Sequence, residues 1–258
     1  MIIDLHSHLI PGVDDGAQTL ELSIELARQA VDEWVEHMVL TPHHRNGRYL
    51  NRKADVIRSA EALQKEYHQA NIPLAVYPSQ EIRLTDKFFD DLYNDDLLSL
   101  DVTGKYYLIE FPSDKVPEIA DEILQELIDN GITPVIAHPE RNHELSTNLH
   151  RLYELVEMGC LTQITTSSYS GYYGEKLVEN SKQIIEYNLG HILASDVHHM
   201  EHRPMNMKNA FAKLTQEYDE ETTNYLKVNA QNIFIGDPVQ ILEPIEPKKL
   251  RKKWFGLF

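Results

Sequence analysis

Seven short runs of β-branched and aliphatic residues, each separated from the next by a segment of helical period, limit this chain to a parallel α/β architecture. The runs are residues 2–5, 37–40, 74–77, 106–111, 133–137, 161–165 and 191–194. Between them apolar residues recur every three or four positions, as in Leu20, Ile24, Ala27, Val31 and Trp34, or Val56, Ala60, Leu63 and Tyr67. A shorter helix is predicted near 88–93, and Ile119, Ile123, Leu127 and Ile128 mark another that stops at Asn130-Gly131, a left-handed cap. Helices over 149–158 and 176–187 stop at Gly159 and Gly190, and two more, about 206–217 and 220–227, close the domain. Right-handed crossovers between parallel strands then give one closed barrel of seven β/α units. A doubly wound open sheet is the competing topology, but no Gly-x-Gly-x-x-Gly or Walker-type loop supports a nucleotide-binding version of it.

Composition narrows the function classes. The 258 residues carry 24 Lys and Arg against 41 Asp and Glu, a net charge of −17 that disfavours nucleic acid as a partner. The amino-terminal stretch does not read as a secretory signal, and no apolar run approaches transmembrane length. A lone cysteine, Cys160, rules out an intramolecular disulfide framework and a cysteine-rich zinc site, and suits a reducing cytoplasm. It also fails the cysteine-phosphatase arrangement, since Thr166 stands where that chemistry needs arginine. Residues 1–247 read as a single domain, and 248–258 as an appendage. There Lys248, Lys249, Arg251, Lys252 and Lys253 adjoin Trp254, Phe255, Leu257 and Phe258, the make-up of an anchor for a membrane surface or an acidic partner. Packing of those aromatics on the domain or on another subunit is the alternative.

The polar residues fall where such a barrel would use them. His6 and His8 follow the first strand, with Asp14 and Asp15 in the next loop; His43-His44 follow the second, Glu81 the third and Glu110 the fourth. The fifth strand ends at His138 with Arg141 three residues on, and the seventh at Asp196 with His198 two further. Thr165-Thr166 ends the sixth, the one strand without a ligand type. Because the carboxyl ends of barrel strands share one face, residues scattered from 6 to 198 would meet in one cleft. Five histidines and four carboxylates packed there would be costly without cations. Nitrogen and oxygen donors without sulfur suit Mn, Fe or Zn, and nine ligands are too many for one ion, so two or three divalent ions are expected. Three ions against Asp15, Glu81, Glu110 and Asp196 leave a local charge of about +2, which attracts an anion and supplies a hydroxide nucleophile at neutral pH. Phosphate ester hydrolysis is the economical reading.

The segments DLHSHLIPGVDDG, LTPHHR, SQEI, LIEF, TPVIAHPER and ASDVHHMEHRP resemble, in order, the motifs of the polymerase and histidinol phosphatase (PHP) family. Within it they are most similar to the manganese-dependent tyrosine phosphatases of capsule and exopolysaccharide synthesis, the CpsB and YwqE type, over about residues 1–240. The resemblance implies a distorted (β/α)7 barrel with a trinuclear centre. His6, His8, Glu81 and Asp196 would hold one ion, Glu81, Glu110 and His138 a second, and Asp15, His43 and His198 a third. Asp14, His44 and His199 are the neighbours that could exchange roles with Asp15, His43 and His198. Arg141 would grip phosphate oxygens with its forked guanidinium. In-line attack by a metal-bound hydroxide is the implied mechanism. A phenolate leaving group, with a pKa of about 10, needs little help from an acid, which His44 or His199 could supply. The substrate would be a phosphotyrosine-bearing protein, the tail of a bacterial tyrosine kinase, met in the cytoplasm and at the inner membrane face if the tail anchors there. Tyr169, Tyr172 and Tyr173, in the loop after the sixth strand, could stack on an aromatic substrate or serve the loop's own packing. A histidinol phosphatase or other small phosphomonoesterase, an amidohydrolase, and a non-catalytic metal-stabilised kinase-binding scaffold are the rival readings.

Overall fold

In a computed structural model, which describes residues 2–247, the predicted alternation is built with two of its seven strands broken in half. Strand β1 (Ile2–Ser7) leads to helix α1 (Leu20–Asp32), started by Thr19, whose hydroxyl accepts from Leu22 N at 3.2 Å. The second strand is split into β2 (Val35–Leu40) and β3 (His43–His44), before α2 (Lys53–Gln69). The third is likewise β4 (Ala75–Pro78) and β5 (Glu81–Arg83), before the short α3 (Phe88–Tyr93). Then come β6 (Tyr106–Glu110), α4 (Ala120–Asp129) and β7 (Thr133–Ala137). A 3-10 turn (Pro139–Arg141), α5 (His143–Thr147) and α6 (Leu149–Met158) lead to β8 (Leu161–Thr165). The chain closes with α7 (Thr166–Ser170), α8 (Glu175–Glu186), β9 (Ile192–Ala194), α9 (Met207–Glu217) and α10 (Glu220–Ile235). The periodicity underestimated α10 by eight residues and gave no sign of α5 or α7, each a single turn or so of helix.

Every strand pairing is parallel, in the ladders β1-β2-β4 and β3-β5-β6-β7-β8-β9. Neighbours follow chain order around the ring, as a barrel requires and a doubly wound sheet does not. The ring is not one continuous ladder. Pro42, with no N–H to give, sits at the break in the second strand. Single bonds bridge the two ladders there: Thr41 N to Ser7 O at 2.8 Å and Glu81 N to Pro42 O at 3.2 Å. On the other side Asp196 N donates to His6 O at 2.9 Å and His8 N to Val197 O at 3.0 Å. The break leaves His43 and Glu81 as register partners at the start of the second ladder.

Two buried clusters follow from strand alternation. Ile3, Leu5, Val39, Leu108, Val135, Leu161 and Ile192 face one another inside the ring, where Ala230 and Ile233 of α10 join them. Helix α10 is also tied in by Asn229 Nδ2, which donates to His191 O at 3.2 Å beside the start of β9. Met38, Leu40, Ile82, Ile109, Ile136, Ile164 and Leu193 face outward against helix residues such as Leu26, Leu63 and Leu124. Each such side chain, fully buried, contributes about 1.5–3 kcal/mol. Cys160 lies in this outer layer, where burial pushes its thiol up to about 12. Among the described residues no helix is long and apolar enough to cross a membrane. The predicted basic-aromatic anchor at 248–258 lies outside the described residues.

Candidate metal centre

The centre is built around an imidazole pair. His6 and His8 leave the end of β1 with their Nε2 atoms 3.1 Å apart. His6 Nδ1 is 2.9 Å from Gln163 Oε1 and His8 Nδ1 is 2.7 Å from Asp14 Oδ2. Both partners are acceptors, so each ring donates from Nδ1 and presents Nε2 inward. A carboxylate–histidine arrangement of this kind is what orients an imidazole on a metal. Glu81 Oε2 lies 3.3 and 3.4 Å from the two Nε2 atoms, and Asp196 Oδ1 lies at the same two distances. All four side chains are fully buried. Four nitrogen and oxygen ligand atoms around one point fit a divalent cation.

The remaining candidates surround this point. His43 Nδ1 is 2.8 Å from Glu81 Oε2 and 3.6 Å from Glu110 Oε2, while its Nε2 is 3.3 Å from Asp15 Oδ1. His198 Nε2 is 3.6 Å from the same Asp15 oxygen, and its ring stacks on His8 with centroids 3.8 Å apart. His138 Nε2 is 2.7 Å from Glu81 Oε1. Ligand atoms thus gather into sets of His8, His43 and His198; His6, His8 and Glu81; His6, His138 and Asp196; and His43, Glu81 and Glu110. The resemblance placed His138 with Glu110, whereas here His43 takes that position. Among the described residues, four buried polar atoms of the cluster make no hydrogen bond: His43 Nδ1, Glu81 Oε2, Asp196 Oδ1 and His198 Nε2.

Local backbone explains how strands of ordinary sequence present these groups. His138 (φ 35°) and Asp196 (φ 54°) hold left-handed conformations that cost a non-glycine residue energy, as at many functional sites. Gly16 lets the loop close on the pair, because a Cβ there would lie 2.1 Å from His8 O. Charge follows from burial. Burial and Glu81 push Glu110 up to about 7, and burial with the Arg141 guanidinium pushes His138 down to about 4. Burial and His8 push His198 down to about 3. Burial opposes ionisation of Asp196, yet Arg203, His6 and Arg141 together hold it well below the carboxylate range.

Two arginines reach the rim. Arg141, carried by the 3-10 turn, and Arg203, in the loop after β9, both donate to Asp196 Oδ2. Arg203 was not among the residues singled out from the sequence, although it lies inside the ASDVHHMEHRP motif. Gln163 was missed too, because it is internal to a strand whose end looked chemically silent.

His44 is not brought to the centre. Fully buried, it places Nδ1 2.7 Å from Asn51 O and Nε2 3.4 Å from Asp91 Oδ2, beside the Arg45–Asp91 ion pair. With both nitrogens engaged there, it cannot serve as the acid first considered. His199 is exposed, its ring 5.5 Å from that of His202, without a polar side-chain contact to the cluster among the described residues. Asp14 orients His8 and binds Gly16 N at 2.9 Å, so it supports the ligands from behind. Tyr169 is buried, its hydroxyl bound to Glu217 Oε2 at 2.9 Å, and cannot stack on a substrate.

The family described as capsular polysaccharide synthesis, CpsB/CapC, matches residues 2–242. The tyrosine-protein phosphatase YwqE of Bacillus subtilis is 42% identical over 257 residues, covering 100% of both chains. The putative tyrosine-protein phosphatase CapC of Staphylococcus aureus is 37% identical, covering 99% of this chain and 100% of its own. A solved structure from work on YwqE and on CpsB of Streptococcus pneumoniae, described as unique metal-dependent tyrosine phosphatases, superposes with a TM-score of 0.93 at 40% identity over 96% of this chain and 100% of its own.

Proposed function

This chain belongs to the CpsB/CapC family of capsular polysaccharide synthesis, and from that premise we propose that it is a metal-dependent protein-tyrosine phosphatase, a phosphoric monoester hydrolase. The observation that carries the reading is the buried set of His6, His8, Glu81 and Asp196, whose inward atoms lie 3.1–3.4 Å apart with two arginines on the outer oxygen of Asp196. Those four, with Asp15, His43, Glu110, His138 and His198, are our ligand set for two or three divalent ions, with nitrogen and oxygen donors that suit Mn, Fe or Zn. Such ions supply Lewis acidity and an activated water at neutral pH.

The chain's own residues do the rest. Arg141 and Arg203 offer guanidinium N–H groups to the equatorial oxygens of a phosphoryl group, a match of planar forks to a tetrahedral anion. Asp196 holds both arginines until substrate arrives. A cavity of about 260 Å³ beside Glu110, His138 and Arg141, walled by Phe111, Ser113 and Asn142, is large enough for a tyrosyl ring. His199, exposed on the rim loop, is the remaining candidate to protonate the leaving oxygen. The partner that suits this chemistry is a phosphotyrosine-bearing protein, and the capsule setting favours a bacterial tyrosine kinase in the cytoplasm.

The test is phosphate release from a phosphotyrosine peptide, a matched phosphoserine peptide and histidinol phosphate, using metal-stripped protein with Mn restored. Metal-dependent turnover favouring phosphotyrosine is the expected result. Turnover of histidinol phosphate alone would leave the centre in place and overturn the substrate.

A further inference from the structure

The loop that leaves α7 folds over Arg203. Gly171 (φ 97°) and Gly174 (φ 95°) supply the two left-handed positions that turn the chain, and Tyr173 N between them donates to Ser167 O at 3.3 Å. Tyr172 pins the same loop by donating its hydroxyl to Glu201 O, on the segment that carries Arg203. Its ring meets that of Tyr173 edge-on, at 77° with centroids 5.9 Å apart. Tyr173 is thereby held with its ring half-exposed and its hydroxyl buried.

Among the described residues that hydroxyl makes no hydrogen bond of good geometry, and neither does the buried Nε of Arg203, although the Arg203 guanidinium is close enough to act on the hydroxyl. The charges acting on Tyr173 are those of Arg203, Asp196 and Arg141, the groups at the outer edge of the metal centre. A buried O–H and a buried guanidinium N–H left without acceptors are both costly. At the rim of an anion site, the hydroxyl oxygen can accept from the Arg203 guanidinium, while its own O–H is left to find an acceptor. A water could accept from both donors, whereas the non-bridging oxygens of a phosphoryl group would accept from each and add the negative charge that a guanidinium attracts.

We propose that Tyr173 is a substrate-binding residue of this site, its hydroxyl donating with Arg203 Nε to the non-bridging oxygens of the phosphoryl group. The assignment rests on the phosphatase reading above. It adds a neutral donor to the two cationic ones, and one that needs no change of protonation to act. The geometry also gives the loop 171–174 a purpose, since its glycines and its tie to Glu201 deliver one hydroxyl to one place.

The experiment compares Tyr173→Phe with the parent protein, both metal-loaded, in two assays: kcat/KM on a phosphotyrosine peptide, and the affinity for inorganic phosphate measured by calorimetry. Loss of one hydrogen bond to an anion should lower both by roughly 10- to 100-fold, with melting temperature and bound metal unchanged because the ring is kept. Equal kcat/KM and equal phosphate affinity in the two proteins would overturn the assignment and leave the hydroxyl to a bound water. If the parent hydrolyses no phosphomonoester, the phosphatase reading fails by itself. Phosphate affinity then decides Tyr173 alone: weaker binding by Tyr173→Phe sustains the anion contact, and unchanged binding removes it.

Discussion

His6 and His8 face each other through Nε2 atoms 3.1 Å apart, each ring held in that orientation by an acceptor behind its Nδ1, Gln163 for one and Asp14 for the other. Separated by one residue on a strand, their side chains share a face, and the second layer removes the choice of which nitrogen looks inward. Both Nε2 atoms are therefore aimed at one point, where a cation would meet them.

Metal should consequently act as a structural ligand as well as a reagent. Binding to the folded chain alone stabilises by about 2.7 kcal/mol when the free ion is at 100 times its dissociation constant. Adding Mn to stripped protein should raise the melting temperature in a concentration-dependent way. In Gln163→Leu, which frees the His6 ring, that rise should shrink; an unchanged rise would show that the hold on the ring is idle.

Gly16→Ala should damage the centre from outside it. The new methyl would meet His8 O at 2.1 Å and His8 Cβ at 2.5 Å, both too close for any rotamer to avoid. The loop must shift, at a cost of about 1–3 kcal/mol, and carry His8 with it. Metal stoichiometry by elemental analysis should fall together with the melting temperature. A variant of normal metal content would show that the loop can yield without moving the ligand.

Arg141→Lys keeps the charge and loses the fork. Lys offers a point charge where the site presents a planar pair of donors, so kcat/KM on a phosphotyrosine peptide should fall roughly 10- to 1,000-fold. Stability should be nearly retained, because the ammonium can still neutralise Asp196. Wild-type kinetics for this variant would remove Arg141 from phosphate binding.

Acid stability depends in part on His191, far from the metal centre at the start of β9. Burial alone pushes this imidazole down to about 4 from 6.5. Between those values the unfolded chain takes up a proton that the folded chain refuses, so stability is complete above pH 6.5 and declines as pH falls toward 4. The loss amounts to about 3 kcal/mol over that window. His191→Asn keeps an acceptor for Thr162 N, which His191 Nδ1 meets at 3.1 Å, and cannot titrate. Denaturant unfolding at several pH values should give the variant a shallower decline than the parent; parallel curves would refute the account.

Much of the centre was legible because strand direction is legible. Once seven strands run parallel, their carboxyl ends share a face, and His6, His8, Glu81, Glu110, His138 and Asp196 are drawn together without further information. The neighbouring pair His43-His44 shows where that logic stops. Successive residues on a strand point to opposite sides, so one of the two had to turn away, and only the position of Asp91 in space settles that it is His44. Gln163 and Arg203 stayed hidden for a related reason. Neither stands at a strand end, and each acts through a contact made across the fold, Gln163 to a residue 157 positions away. The broken ladder was equally beyond periodicity, since Pro42 lies past the run that the pattern detects.

Helix α10 has a bearing on how the molecule is made. Ile3 and Leu5 share their buried cluster with Ala230 and Ile233, residues that leave the ribosome long after them. Until Ile233 has emerged, the inside of the ring lacks its final hydrophobic surface, however well the earlier strands have paired. Synthesis and folding are thus out of step over the stretch that separates Ile3 from Ile233. A nascent barrel of this kind spends most of its time on the ribosome unfinished, and chains ended before Ile233 should be the ones that chaperones retain.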